Sequence, residues 1–416
     1  MRTLLAFVLL LSVHDVARPA PAADPVPTSA SEWKVGTPIV TYWAGPPMTD
    51  PVARQMAEGG WNLVGCTEKE LDVAQRHGLR AQLHDGLLSP ATLDDPGKRE
   101  KLDALIARVR NHPALYGYFI VDEPSAAAFP KLGKLVAYLR QRDPAHLAYI
   151  NLFPTYANNE QLGTKGDPVT AYREHLRQYL QIVRPSLVSY DHYQFAKDGD
   201  TAGYFLNLAM IRRAAQEAGV PFLNIVQACT WTPSMRVPVP DEMRYLVYTT
   251  LAYGAQGISY YVYCTAGHTG GIALPDGSPT PIYHALKSLN REFVAIAKEL
   301  QPLRSLAVYH AGMMPPGAEP LPQDAPFRLD PPSPPLAYKP PERVRGVLLG
   351  YFGKASKPSH VVVVNLDYKA EAVITLVGPG NLELFDAAAG AWSPANNPRA
   401  ELRLLPGGGK LVRVPR

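Results

Sequence analysis

Cysteine is scarce. The 416 residues include only three, at Cys66, Cys229 and Cys264. Their spacing matches no metal motif, and an odd count leaves at least one thiol free. Core packing or a single bridge, with a Cys229–Cys264 pairing left open, are the roles that remain. Charge is thin as well, at 19% of residues, and the net charge of +4 arises from bases interleaved with acids. With no basic run, neither nucleic acid nor a membrane surface is expected as a partner. Past the first residues, no segment nears the roughly 18 consecutive apolar residues of a membrane-spanning helix. No G-x-G-x-x-G loop follows the first strand, where Tyr42-Trp43-Ala44-Gly45-Pro46-Pro47 stands instead. The run Gly407-Gly408-Gly409-Lys410 lacks the Ser/Thr of a phosphate loop and reads as a hairpin turn. No cofactor is expected.

The N-terminus has the three parts of an export signal. Arg2 supplies the charge, Leu4 to Val13 the apolar run, and Ala20-Pro21-Ala22 the small-residue cleavage site. Residues 1–23 are therefore expected to be removed, giving a secreted or periplasmic protein with no membrane anchor. Hydrophobic residues make up 46% of the chain, enough for one large core and a smaller one.

From residue 37 short apolar strands alternate with amphipathic helices. The strands are Thr37–Trp43, Trp61–Cys66, Leu79–Asp85, Leu115–Asp122, Leu147–Phe153, Leu187–Tyr193, Pro221–Gln227 and Gly257–Cys264. Helical stripes such as Leu102, Leu105, Ile106 and Val109 recur at three and four residues between them. Eight such units predict an α/β fold, a (β/α)₈ TIM barrel over residues 31–302, rather than an open doubly wound sheet. After Pro302 strands follow one another without helices, which predicts a small antiparallel, sandwich-like β-domain over residues 303–416. Within it residues 315–341 are dense in Pro and read as a long loop or a disordered insert.

In such a barrel, chemistry belongs at the C-terminal ends of the strands. Those ends carry Tyr42 and Trp43, His84 and Asp85, Asp122 and Glu123, Asn151, and Tyr190, Asp191, His192 and Tyr193. Strands seven and eight add Gln227 with Trp231, and Tyr261 with Tyr263. Aromatics, amides and carboxylates on one face suit a sugar, whose C–H faces stack on rings while its hydroxyls seek polar partners. Glycosidic cleavage needs two carboxyl groups, one to protonate the leaving oxygen and one to act at the anomeric carbon or on water. The stretch Gly117-Tyr118-Phe119-Ile120-Val121-Asp122-Glu123-Pro124 offers two acids at a strand end. Strict alternation puts Asp122 with Tyr118 and Ile120, and Glu123 with Phe119 and Val121, but the chain turns at the strand end, so either acid can reach the pocket. Capping of the next helix is the competing role for these acids.

This strand-four ending resembles the Asn-Glu-Pro ending of clan A glycoside hydrolases. The stretches from Glu242 to Tyr261 and from Gly277 to Glu292 are similar to the last units of family 42 β-galactosidase-like barrels. The resemblance implies that Glu123 is the general acid/base of an O-glycosidase. Two departures stand out. Asp122 occupies the position of the clan's Asn. Strand seven, which carries the clan's nucleophilic Glu, ends here Asn224-Ile225-Val226-Gln227-Ala228 with no carboxylate. Asp191 is then the first choice for the second carboxylate, ahead of Asp85. A separation of about 6.5–9.5 Å from Glu123 implies inversion and about 5–5.5 Å retention. Two other functions stay open: a carbohydrate-binding barrel without hydrolysis, and a metal-dependent barrel hydrolase or isomerase. For the latter, His84, Asp85, Asp122, Glu123, Asp191 and His192 show no paired-His signature, so no metal is expected.

Overall fold

A computed structural model describes residues 38–415, so the export-signal reading lies outside the described residues. Eight parallel strands form the barrel: β1 (Ile39–Trp43), β2 (Leu63–Cys66), β3 (Arg80–Leu83), β4 (Leu115–Asp122), β5 (Leu147–Leu152), β6 (Val188–His192), β7 (Phe222–Gln227) and β8 (Gly257–Tyr261). Strand neighbours follow chain order, and β8 pairs with β1 from Ile39↔Gly257 to Trp43↔Tyr261. The remaining seam, between β1 and β2, is stitched by a side chain. Asn62 accepts from Val40 N at 2.8 Å through Oδ1, donates to Pro38 O at 2.6 Å through Nδ2, and donates its own N–H to Val40 O at 3.1 Å.

The main helices are α1 (Asp50–Glu58), α2 (Leu71–Arg76), α3 (Pro96–Val109), α4 (Phe129–Arg142), the short α5 (Asn159–Leu162), α6 (Pro168–Gln178), α7 (Tyr204–Ala218), α8 (Pro240–Ala252) and α9 (Pro281–Leu300). Local chemistry sets their ends. Asp95 caps α3 by accepting from Gly97 N and Lys98 N, with Pro96 in the first turn where no N–H is needed. Gly219 ends α7 at φ 68°, a left-handed conformation that glycine enters at no steric cost. The barrel interior is a small core of Ile39, Leu63, Tyr116, Leu147, Tyr149, Leu187, Leu223 and Ile225. A far larger apolar layer lies between the strands and the helices.

The β-domain is built from β9 (Arg304–Met314), β10 (Gly346–Lys354), β11 (Lys357–Asn365), β12 (Ala372–Val377), β13 (Glu383–Asp386), β14 (Ala391–Pro394), β15 (Arg399–Leu404) and β16 (Gly409–Arg413). One sheet runs β9-β10-β11-β16-β13-β14, and a second holds β12 and β15. Period-two alternation sorts the residues of β10. Val347, Leu349 and Tyr351 face the second sheet, while Leu348 and Phe352 join the core around the barrel helices. Both faces are covered, which is why Val361–Val364 is apolar without a break. Against α8 the sheet comes so close that a Cβ on Gly350 would lie 2.0 Å from Ala252 O.

The Pro-rich stretch, 315–341, runs as a long loop with two short strands, Arg328–Leu329 and Leu336–Ala337. Phe327 is fully buried between the sheets and accepts a hydrogen bond at its carbonyl from the Tyr351 hydroxyl. Strands β14 and β15 carry little strand signal in the sequence. Both are largely exposed along alternate residues, which weakens their apolar signal.

Candidate functional site

A cavity of about 250 Å³ opens at the C-terminal mouth of the barrel. Asp122, Glu123 and Asp191 meet there with Asn151, and Trp43, Phe153, Tyr156, Tyr193, Trp231 and Tyr261 supply the rings. Strand geometry explains how two consecutive acids both reach it. The β4–β5 register runs Phe119↔Tyr149, Val121↔Ile150, Asp122↔Asn151, so Ile120 is an extra residue in a bulge. The bulge reverses the phase of β4. Asp122 therefore shares the inward face of Phe119 and Asn151, where strict alternation placed it with Tyr118 and Ile120. Glu123 then adopts φ 44°, a left-handed turn costing a non-glycine residue about 1–2 kcal/mol. Its N–H still donates to Asn151 O at 2.9 Å. Helix capping by these acids is not what is found, since neither donates or accepts at the start of α4.

Asn151 is the hub of the polar floor. Its Nδ2 donates to Asp122 Oδ1 at 3.0 Å and to Asp191 Oδ1 at 2.9 Å. Its Oδ1 accepts from Ser189 Oγ at 3.0 Å, and Ser189 in turn contacts the Tyr149 hydroxyl at 2.7 Å. Asp191 and Glu123 are hydrogen-bonded to each other, an arrangement that requires a proton on one of the two carboxyls. Burial and the neighbouring Asp122 push the Glu123 carboxyl up to about 7. Burial, followed by the charge of Glu123, drives fully enclosed Asp191 well above the ordinary carboxylate range. Asp122 lies exposed along the cleft wall, raised by partial desolvation and eased back by the Asn151 amide.

The rings form a wall. Tyr193 and Trp231 lie 4.7 Å apart, and Tyr261 is 4.9 Å from each. His268 anchors Tyr261 through a 2.8 Å contact to its hydroxyl. Trp43, in register with Tyr261 on the neighbouring strand, packs on Phe119 at 5.3 Å.

Of the strand-end residues singled out in the sequence, Trp43, Asp122, Glu123, Asn151, Asp191, Tyr193, Trp231 and Tyr261 line this cavity. The rest do not. Tyr42 faces the helices, accepts from Gly65 N at 3.3 Å and packs on Tyr263. Tyr263 is buried and donates to Gln55 Oε1 at 2.7 Å. Tyr190 is fully buried among the helices. His192 is buried beside Asn207 at 3.0 Å, and desolvation lowers its imidazole to about 4. His84 stacks on Phe119 at 4.5 Å, outside the cavity lining, and Asp85 closes a turn on Leu87 N. Gln227 is fully buried and spends its amide on loop backbone. The loop after β5, with Phe153, Pro154, Tyr156 and Ala157, and Gln161 on α5 also line the cavity and lie outside that strand-end set. The signal for this loop is the Phe153-Pro154-Thr155-Tyr156 run that starts two residues beyond Asn151. All three cysteines are free thiols, so Cys229 and Cys264 are not bridged. Among the described residues, no group of three or more His, Cys, Asp or Glu is arranged to hold a metal ion.

No family model and no curated protein matches the chain. Solved structures do. One titled a glycoside hydrolase is 12% identical over 90% of this chain and 91% of its own, with a TM-score of 0.50. A family 5 glycoside hydrolase from Bacteroides vulgatus is 12% identical over 90% of this chain and 88% of its own, at 0.51. A β-galactosidase from the psychrophilic Marinomonas ef1 is 13% identical over 66% of this chain; the chain spans 63% of that protein, at 0.47. At these identities the likeness establishes the architecture, a (β/α)₈ barrel carrying a β-domain.

Proposed function

We propose that the protein is an exported glycoside hydrolase that cleaves O-glycosidic bonds in its barrel pocket, with Glu123 as general acid/base. The observation carrying this reading is the hydrogen-bonded Glu123–Asp191 pair on the floor of a ring-walled cavity of about 250 Å³. A carboxyl held up to about 7 keeps its proton in the neutral range, as protonation of a leaving oxygen requires. Asp191 is the partner carboxylate, and Asp122 the accessible acid that binds a sugar hydroxyl. Substrate entry separates the pair, because two carboxyls in direct contact stand closer than the ~5–5.5 Å of retaining sites. The Tyr193–Trp231–Tyr261 wall offers the ring face on which a pyranose stacks.

That close contact, together with the absence of a carboxylate on β7, favours a second reading: a barrel that binds saccharide without cleaving it. A panel of aryl glycosides and of plant, algal and bacterial polysaccharides separates the two, with Glu123→Gln run alongside. Product from the wild type alone supports the hydrolase. Retained glycan binding with no product from either protein selects the binding barrel. Equal turnover by both proteins removes Glu123 from the acid role.

A further inference from the structure

We infer that Gln227 is a positioning residue, an amide clamp that sets the aromatic wall of the pocket and closes the end of β7 to a carboxylate. The wall's role in holding sugar rests on the proposed function; the clamp itself does not. Gln227 is fully buried. Its Oε1 accepts from Phe195 N at 2.9 Å, and its Nε2 faces three carbonyls: Arg236 O at 2.7 Å, Phe195 O at 3.2 Å and Cys229 O at 3.4 Å. These partners fix the amide orientation, since the Phe195 N–H needs an acceptor and the carbonyls around Nε2 can only accept.

The contacts fall where two loops are anchored. Phe195 lies two residues past Tyr193, while Cys229 and Arg236 bracket Trp231. Further along, Arg236 N donates to Phe195 O at 3.1 Å and Lys197 N to Ser234 O at 2.9 Å, so the loops are laced together above the clamp. Tyr193 and Trp231, the rings carried by those loops, stand 4.7 Å apart as a result.

A glutamate here would have no N–H to offer and would set a carboxylate against three carbonyl oxygens. The nearby cation cannot compensate. Arg236 is committed to Glu242 through two 2.7 Å contacts and lies over the Phe195 ring at 4.9 Å. The missing strand-seven carboxylate is thus a requirement of loop anchoring. The wall is built at the cost of an acid.

The test compares wild type, Gln227→Glu, Gln227→Met and Trp231→Ala by near-ultraviolet circular dichroism from pH 5 to 9 without sugar, with far-ultraviolet spectra to report the barrel. Wild type, run throughout, is the reference at every pH for spectral changes that arise away from residue 227, those at the acids of the pocket included. Gln227→Met is expected to lose at least half of the signal that Trp231→Ala removes, at every pH. Gln227→Glu is expected to look native while protonated, when its O–H donates to Arg236 O. The signal should then fall as burial-raised ionisation proceeds. A native wall signal in Gln227→Met, no transition in Gln227→Glu up to pH 9, or global unfolding of either variant overturns the clamp. Separately, with 4-nitrophenyl glycosides of glucose, galactose, mannose and xylose, Gln227→Met should raise KM about tenfold and leave kcat within about threefold. An intact clamp result with no turnover of any glycoside by wild type counts against the hydrolase reading alone.

Discussion

Replacing Glu123 by Gln should abolish turnover and stabilise the protein, but only at neutral and higher pH. The carboxyl ordinarily titrates near 4.5 and here is held up to about 7 by burial, with Asp122 adding to the effect. The folded state therefore binds more protons than the unfolded state between those values. Stability contributed by this group is full below pH 4.5 and is lost as pH rises through about 7. The interval corresponds to about 3 kcal/mol against the ionised form, which water at the cavity mouth screens to ~1–2 kcal/mol. A 416-residue chain unfolds with an entropy of about 0.9 kcal/mol/K, so Glu123→Gln should raise Tm by about 1–2 °C at pH 8. At pH 4.5 the two proteins should melt together. Thermal unfolding of both across pH 4–8 checks this. Parallel profiles, or a variant less stable than wild type at pH 8, would refute the assignment of a raised, proton-holding carboxyl.

Three other expectations follow from named contacts. Asn151→Leu removes the amide shared by Asp122, Asp191 and Ser189. It should cost about 2–4 kcal/mol in chemical denaturation and lower kcat; an unchanged midpoint would deny the hub its role. Asn62→Ala unpicks the β1–β2 seam and should cost about 1–3 kcal/mol, with hydrogen exchange accelerating first at Val40 N. Trp231→Ala removes a ring that packs on Tyr193 and Tyr261, so saccharide affinity should fall about fivefold or more while stability falls by about 1–2 kcal/mol, read by titration calorimetry and melting.

The barrel was legible because each of its units carries its own punctuation: an apolar strand, a helical stripe and a Gly or Pro between them. The site was legible only in part, and the reason is the two-residue period of a strand. At the end of β6, Asp191 points inward while Tyr190 and His192 turn to the helices; at the end of β1, Trp43 points inward and Tyr42 outward. Sorting each strand end by alternation would have removed these outward residues. The same rule fails on β4, where the bulge at Ile120 changes the phase without leaving any mark in residue type. Gln227 illustrates a different limit. Its identity is set by carbonyls of residues 195, 229 and 236, contacts that exist only after the loops have met. The Pro-rich stretch left loop and disorder unseparated for a related reason, since Phe327 is ordered by a sheet that forms from residues on either side of it.

One face of β10 and β11 shares its apolar layer with α8, and at Gly350 the two backbones touch. For an engineer this forbids the usual cut-and-paste. A barrel truncated at residue 302 would expose the flank that Leu348, Phe352, Val362 and Val364 now cover, a sticky stripe inviting aggregation. The β-domain cannot be swapped onto another barrel as a ready-made appendage, and libraries of hybrids should place their crossover points elsewhere. Inheritance faces the same constraint: the two parts of this chain are expected to have travelled together.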